Sequence, residues 1–244
     1  MQQLAVIGGS GLEKLVVGKA KKVKTAFGVA FVLRGELGGK QFFFISRHGP
    51  KHEIPPHMIN HRANLRALAD LGATDIVSLC AAGSLSTGKY KVGDIVTARD
   101  LFKLSPGPTF FDFFKDGPMH TGMDAPYSPA LIGKIQEAAR LSGVAVKDGA
   151  VITDTSGPRY ETKTEVLVLA SFNVDLAGMT TVSEAILANE LRRAGYPVQN
   201  ATLAIVTNYG TGLVGVIDHA GVDAVVKKRE KDVEGILYQL VRMA

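Results

Sequence analysis

Residues 4–11 read Leu-Ala-Val-Ile-Gly-Gly-Ser-Gly, an apolar run that ends abruptly in glycines. Consecutive apolar residues bounded by glycine are typical of a fully buried β-strand. The glycines allow backbone N–H groups to approach an anion closely, and Ser10 adds a hydroxyl. The segment therefore predicts a first strand at residues 4–7, followed by either an anion-binding loop or a ligand-free tight turn.

The rest of the chain repeats this strand pattern and alternates it with helical segments. Strands are predicted at residues 41–46, 75–79, 95–98, 150–153 and 201–207, and helices at residues 60–71, 129–141, 163–170, 181–194 and 222–243. This alternation predicts a single α/β domain over residues 1–244, with a mixed central sheet flanked by helices. In such folds ligands bind beyond the carboxyl ends of the strands, where glycine and polar residues gather in this sequence.

Composition narrows the function classes. Of the 244 residues, 46% are hydrophobic, which allows a large core, and no apolar run is long enough to span a membrane. The N-terminus does not resemble a secretion signal, and the single cysteine, Cys80, cannot form an intrachain disulfide, so we expect a cytoplasmic location. The net charge is +5, from 28 basic and 23 acidic residues. Basic clusters such as residues 19–24 and 227–231 lack interleaved aromatic residues, so we interpret them as solvated faces rather than as a nucleic-acid site.

Arg47-His48-Gly49 follows the second predicted strand and suits an anion, because arginine presents a planar fork to phosphate oxygens. A histidine phosphatase carries the same triplet, although after its first strand, and a structural ion pair is a third interpretation. His52 and His57 suggest a metal, but no further ligand pattern accompanies them, so we expect none. A dinucleotide loop is disfavoured because position 14 is lysine instead of glycine.

Two later segments add groups suited to a heterocycle. In residues 157–162, Tyr160 can stack on a base while Glu161 accepts its N–H groups. Glu161 is equally suited to placing a charge at a helix N-terminus. In residues 178–184, Met179 is by itself more typical of a core position than of a ligand contact.

Seven motifs in one order resemble the purine nucleoside phosphorylase and methylthioadenosine phosphorylase family. They are Gly-Gly-Ser-Gly-Leu (8–12), Arg-His-Gly (47–49), Pro-Pro-His-x-Ile-Asn-x-Arg-Ala-Asn (55–64), Ala-Gly-Ser-Leu (82–85), Val-Gly-Asp-Ile-Val (92–96), Gly-Pro-Arg-Tyr-Glu-Thr (157–162) and Gly-Met-Thr-Thr-Val-x-Glu (178–184). The resemblance extends from Ala5 to about Leu240. It implies phosphorolysis of a purine nucleoside, with inorganic phosphate as co-substrate and no cofactor or metal.

The resemblance also assigns roles to individual residues. It implies a phosphate site of Ser10, Arg47, His48 and Thr180 with the backbone near Ala81, a ribose contact at Met179 and a base contact at Tyr160. It further implies that His120 reaches the site of a neighbouring subunit in a homotrimer. Two departures from the family pattern, Cys80 and the glycine-rich segment 210–212, affect the phosphate and base sites respectively.

Family members divide over the purine base. Those acting on 6-oxopurines carry asparagine and glutamate where this chain has Asn208 and Glu161, and those acting on 6-aminopurines carry aspartate and serine there. The resemblance therefore implies inosine, guanosine or 5′-methylthioinosine as substrate, with Asn208, Glu161 and His48 as candidate catalytic residues. His219 either contacts the 5′-hydroxyl or is a surface histidine at a helix start.

Four alternatives remain open at the level of sequence. Within the family the chain could be an S-methyl-5′-thioadenosine phosphorylase, although such a protein should have an acid at 208 or 210. Outside it, a nucleoside hydrolase would use water in place of phosphate, and a histidine phosphatase would form a phosphohistidine. A non-catalytic nucleoside-binding module is the fourth.

Overall fold

The structure, a computed structural model, describes residues 3–9, 16, 20–112 and 119–244. Within these residues, strands and helices alternate as the sequence predicts. In chain order they are β1 (Leu4–Gly8), β2 (Lys21–Thr25), β3 (Gly28–Leu37), β4 (Lys40–Ser46), α1 (His61–Asp70), β5 (Asp75–Ser84), β6 (Ile95–Phe102), α2 (Pro129–Leu141), β7 (Val146–Asp154), α3 (Lys163–Ser171), β8 (Leu176–Gly178), α4 (Thr181–Arg193), β9 (Gln199–Tyr209) and α5 (His219–Met243).

The described strands form one mixed sheet in the order β2-β3-β4-β1-β5-β8-β7-β6-β9. β1 lies between β4 and β5 and is parallel to both, so the ends of these three strands share an edge. β9 pairs with β6 and also, in parallel, with β5, which closes part of the sheet on itself. This confirms the predicted α/β class with a mixed central sheet.

Helices cover both faces of β1, which explains its continuous apolar sequence. Leu4 and Val6 pack in one buried cluster with side chains of α2 and α5. Ala5 and Ile7 point to the other face and pack with side chains of α1 and α4. Among the described residues, no helix is both long enough and apolar enough to cross a membrane.

The sequence analysis missed three strands, β2, β3 and β8. β2 reads Lys-Lys-Val-Lys-Thr and pairs antiparallel with β3 at the edge of the sheet. Its lysines are solvated, as predicted, but an edge strand with one face in solvent can carry them. β8 has only three residues, too few for a pattern to show in the sequence.

Candidate active site

A cavity of about 470 Å³ lies at the edge where β1, β4, β5, β8 and β9 end. Eight of the candidate residues line it, namely Arg47, His48, Ala81, Tyr160, Glu161, Met179, Thr180 and Asn208, and His219 lines it as a ninth. Residues separated by up to 172 positions in the sequence, from Arg47 to His219, therefore meet in one place. Ser10 lies outside the described residues, so its predicted phosphate contact stays a prediction.

Arg47 is buried at the end of β4 and forms a forked ion pair with Glu184 of α4. Its Nε donates to Oε1 at 2.7 Å and its Nη2 to Oε2 at 2.9 Å. Nη2 also donates to the carbonyl of Ile7, and Nη1 donates to that of Leu79. Among the described residues, four of the five guanidinium N–H groups are thus occupied, and one on Nη1 is not. Arg47 forms the structural ion pair with a side chain that is 0% exposed, and the residue also lines the cavity.

Gly9 is required for this placement of Arg47. A Cβ atom at position 9 would lie 2.5 Å from Nη1 of Arg47 and 3.1 Å from the carbonyl oxygen of Leu79. No side chain fits there without displacing the buried guanidinium. The glycine run after β1 therefore has a packing role besides any role in binding an anion.

Two more groups of the predicted phosphate site line the same cavity. The Nδ1 of His48 lies 2.9 Å from the carbonyl oxygen of Ile54, which can only accept, so Nδ1 carries the proton and donates. Thr180 precedes α4, is buried, and makes no hydrogen bond that caps the helix. Its hydroxyl is therefore not committed to the helix N-terminus.

Asn208 and Glu161 line the same cavity and carry a hydrogen-bond donor and an acceptor respectively. Thr207 donates to Oδ1 of Asn208 at 2.9 Å, and Nδ2 of Asn208 donates to the carbonyl of Tyr209 at 3.0 Å. Among the described residues, one N–H of that amide has no partner. Thr155 donates to Oε1 of Glu161 at 2.8 Å, so Oε2 remains as an acceptor among the described residues.

Tyr160, Met179 and His219 also line the cavity. Tyr160 precedes Glu161 in the chain and is half-buried, and Met179 directly precedes Thr180. His219 is the first residue of α5, and its side chain is 61% exposed. His219 therefore begins a helix at the surface and also lines the cavity, and its contact with a 5′-hydroxyl stays a prediction.

Cys80 lines the cavity from β5, and its thiol has an inert environment. Burial raises the pKa of the thiol to about 12, and the nearby Arg47 lowers it only in part. The hydroxyl of Thr181 lies 3.8 Å from the sulfur. Cys80 therefore supplies an uncharged, weakly polar wall at this point of the site.

His120 lies in a different cavity from the other candidate residues. That cavity, of about 620 Å³, is lined by Lys103, Met119, Glu190 and others, and shares no residue with the first. His120 cannot be assigned to the site of its own protomer from this arrangement. Its predicted role in a neighbouring subunit's site stays a prediction.

Sequence reasoning missed three site residues. Glu184 and Thr155 orient Arg47 and Glu161, and Glu53 lines the cavity. An acid within the otherwise uncharged first half of α4 was a signal for Glu184, because a buried carboxylate requires a partner. Of the two histidines at which no metal was expected, His52 stacks on His48 with ring centroids 4.7 Å apart, and the exposed His57 does not line the cavity.

Comparisons with known proteins show similarity over almost the whole chain. The sequence model of the phosphorylase superfamily matches residues 3–242. The 6-oxopurine nucleoside phosphorylase of Pyrococcus furiosus is 34% identical over 96% of this chain and 89% of its own length. The S-methyl-5′-thioadenosine phosphorylase of Hyperthermus butylicus is 36% identical over 98% and 87%. The solved structure of Schistosoma mansoni methylthioadenosine phosphorylase with adenine has a TM-score of 0.89 at 27% identity, covering 100% of this chain and 91% of that one.

Proposed function

Since this chain belongs to the phosphorylase superfamily, we propose that it uses inorganic phosphate to split the N-glycosidic bond of 6-oxopurine nucleosides. The products are the free base and ribose 1-phosphate, or its 5-methylthio analogue. The observation that carries the proposal is the cavity that is lined both by Arg47, His48 and Thr180, which suit an anion, and by Asn208 and Glu161, which suit a purine base. Both kinds of group in one cavity match a reaction that joins phosphate to the sugar of a nucleoside.

The reaction transfers a pentosyl group, and each kind of group in the cavity stabilises one of the charges that develop. As the glycosidic bond lengthens, positive charge gathers on the ribose and negative charge on the purine. Phosphate bound by Arg47, His48 and Thr180 stabilises the first and attacks the anomeric carbon. The remaining amide N–H of Asn208 donates to purine N7 and stabilises the second. All of these groups belong to this chain, and the proposed chemistry requires no cofactor or metal.

Glu161 is the group that selects the base. Its Oε2 can accept from N1–H of hypoxanthine or guanine, and from the 2-amino group of guanine. Adenine N1 is itself an acceptor, so a carboxylate facing it leaves two lone pairs opposed. A mismatched buried hydrogen bond costs about 1–3 kcal/mol, or roughly ten- to hundredfold.

The first experiment is an assay of base release from inosine, guanosine, 5′-methylthioinosine, adenosine and 5′-methylthioadenosine, each with and without phosphate. We expect phosphate-dependent release of hypoxanthine and guanine, with the adenine compounds slower. The methylthioadenosine phosphorylases among the relatives make 5′-methylthioadenosine the second candidate substrate. Efficient cleavage of 5′-methylthioadenosine would refute the proposed base specificity but would leave the phosphorylase reaction in place. Release of base without phosphate would indicate a hydrolase.

Glu161→Gln is expected to lower the preference for guanosine over adenosine, measured as the ratio of their kcat/KM values, by roughly ten- to hundredfold. The amide nitrogen in place of Oε2 can donate to adenine N1, and it cannot accept from N1–H or the 2-amino group of guanine. Glu137→Gln is the matched control, because it removes an exposed carboxylate on α2 outside the cavity. An unchanged ratio in the Glu161 variant would contradict the assignment.

A homotrimer completes the proposal, because α3 exposes apolar side chains that a second copy of the chain could cover. Leu167 and Val168 of α3, and Phe172 directly after it, are each at least 44% exposed. The helix therefore carries apolar side chains on its exposed side as well as on its buried side. A helix that is apolar all round is typical of a buried position. His120, which the resemblance assigns to a neighbour's site, lines the second cavity of its own protomer. Light scattering on the purified protein measures the mass directly, and a monomer at assay concentrations would contradict this part.

A further inference from the structure

Glu161 is a buried carboxylate without a cationic partner among the described residues. It is 6% exposed and lines the cavity, and its side chain forms one hydrogen bond to a described residue, the neutral hydroxyl of Thr155. The nearest arginine in the sequence, Arg159, is paired with Glu165 instead. Buried carboxylates are usually matched by donors, so the remaining oxygen of Glu161 is suited to an N–H of a ligand.

The helix that follows Glu161 does not use its carboxylate. The hydroxyl of Thr162 accepts from the N–H of Glu165, and the carboxylate of Glu165 accepts from the N–H of Thr162. This reciprocal pair caps the first turn of α3 and places an acid there. The alternative role of Glu161, a charge at the helix N-terminus, is therefore already filled by Glu165.

Thr155 holds this carboxylate from a fixed position on the backbone. It directly follows β7, and its backbone N–H donates to the carbonyl of Gly178 in the paired strand β8 at 2.8 Å. Its hydroxyl oxygen lies 2.8 Å from Oε1 of Glu161 and 3.3 Å from the same carbonyl. A hydroxyl has one proton to donate, and the carbonyl already accepts the N–H, so the proton goes to the nearer Oε1.

We propose that Thr155 is a positioning residue that sets the preference for 6-oxopurines, because its hydroxyl holds Oε1 of Glu161 and thereby presents Oε2 to the base. This inference rests on the proposed function, in which Oε2 accepts from N1–H. A carboxylate that is free to turn about its last bonds loses this fixed direction. It then binds N1–H less well, and it can turn away from adenine N1 and let a water molecule bridge the two acceptors.

The effect of Thr155 should appear in the KM for inosine more than in kcat. Hypoxanthine offers Glu161 only its N1–H, and that contact is present in the bound substrate as well as in the transition state. Removing an interaction of this kind raises KM and leaves kcat nearly unchanged. Asn208 differs in this respect, because its proposed contact with purine N7 strengthens as the base departs.

The first test removes the hydroxyl of Thr155 while keeping nearly the same side-chain shape. We expect Thr155→Val to lower the preference for inosine over adenosine, measured as the ratio of their kcat/KM values, by about tenfold. Most of this change should be a higher KM for inosine, with kcat changed less than about twofold. Thr155→Ser keeps the hydroxyl and should restore the ratio to within about twofold of the unmodified protein. Thr97→Val is the control, because it removes a buried hydroxyl in β6 outside the cavity.

A second test asks whether Thr155 acts through Glu161. Glu161→Met removes the acceptor, and the hydroxyl of Thr155 can then donate to the carbonyl of Gly178. Adding Thr155→Val to Glu161→Met should leave the ratio unchanged to within about twofold, since the interaction between the two side chains is already lost. The ratio compares two substrates on one sample, so it does not depend on the folded fraction of a variant.

The outcomes separate the inference from the proposed function. A ratio that Thr155→Val leaves unchanged, that Thr155→Ser fails to restore, or that falls equally in the absence of Glu161 would overturn the role of Thr155 alone. An inosine preference that survives in Glu161→Met, or an unmodified protein that releases no hypoxanthine from inosine, would refute the proposed base selection and the inference with it.

Discussion

Arg47→Met is expected to lower the free energy of unfolding by about 3–5 kcal/mol, because it leaves Glu184 as an unpaired charge in the interior. The same change removes the donor on Nη1 and should abolish measurable saturation by phosphate. Chemical denaturation at neutral pH gives the stability, and the assay of base release gives the activity. A loss of stability below about 1 kcal/mol would contradict the buried position of this pair.

A double variant separates the two consequences. In Arg47→Met with Glu184→Leu no charge is left unpaired, and replacing a buried ion pair by apolar residues of similar size is often neutral or stabilising. We expect it to recover most of the stability and none of the activity. Recovery of both would mean that Arg47 acts only on the fold and does not contact phosphate.

The pH dependence of the Arg47→Met defect has a definite sign. In the unmodified protein the pKa of Glu184 is lowered from 4.5 to about 2, so the pair stabilises the fold above pH 4.5 and loses that contribution as the pH falls toward 2. In the variant an unpaired buried Glu184 can fold in its protonated form. The stability difference between the two proteins should therefore shrink over that acidic range.

Asn208→Ala is expected to lower kcat for inosine by about 10²–10³-fold, the usual cost of removing one donor from a developing negative charge. The variant takes away the amide N–H proposed to face purine N7. Asn208→Asp should lose as much, because an ionised carboxylate in nearly the same volume cannot donate.

Phosphate binding provides the internal control for both Asn208 variants. Asn208 pairs with Gly83 of β5, whereas Arg47 donates to Leu79 four residues earlier on that strand, so calorimetry should give an unchanged affinity for phosphate. A kcat within about tenfold of the unmodified protein would mean that another group protonates or stabilises the leaving base.

Local sequence patterns were sufficient to predict the elements that build the core. Residues 4–7 are apolar without interruption because β1 is covered on both faces. The helix Pro129–Leu141 begins where the cap residue Ser128 and the proline after it predict. β2 was missed because its pattern is set by its position at the sheet edge, where lysines can face solvent. The extension of β5 to Ser84 depends on its pairing with β9, a contact between residues far apart in sequence.

The residues of the site were easier to predict than the network that holds them. Glycines and polar residues at strand ends identified Arg47 and Asn208 because strand ends converge in this type of fold. Thr180 follows β8, a strand that was not predicted, and its role came from the family resemblance alone. The pairing of Arg47 with Glu184 joins two residues 137 positions apart, and no local pattern records it.

The environment of Cys80 has a practical consequence. It is the one cysteine in the sequence, and a thiol whose pKa is about 12 remains protonated, whereas maleimides react with the thiolate. The unmodified protein should therefore remain unlabelled by such reagents. A cysteine introduced at Val216, which is 96% exposed and three residues before His219, would be the one reactive thiol of the chain. A fluorophore attached there would lie close to the mouth of the cavity, without any need to delete the native cysteine.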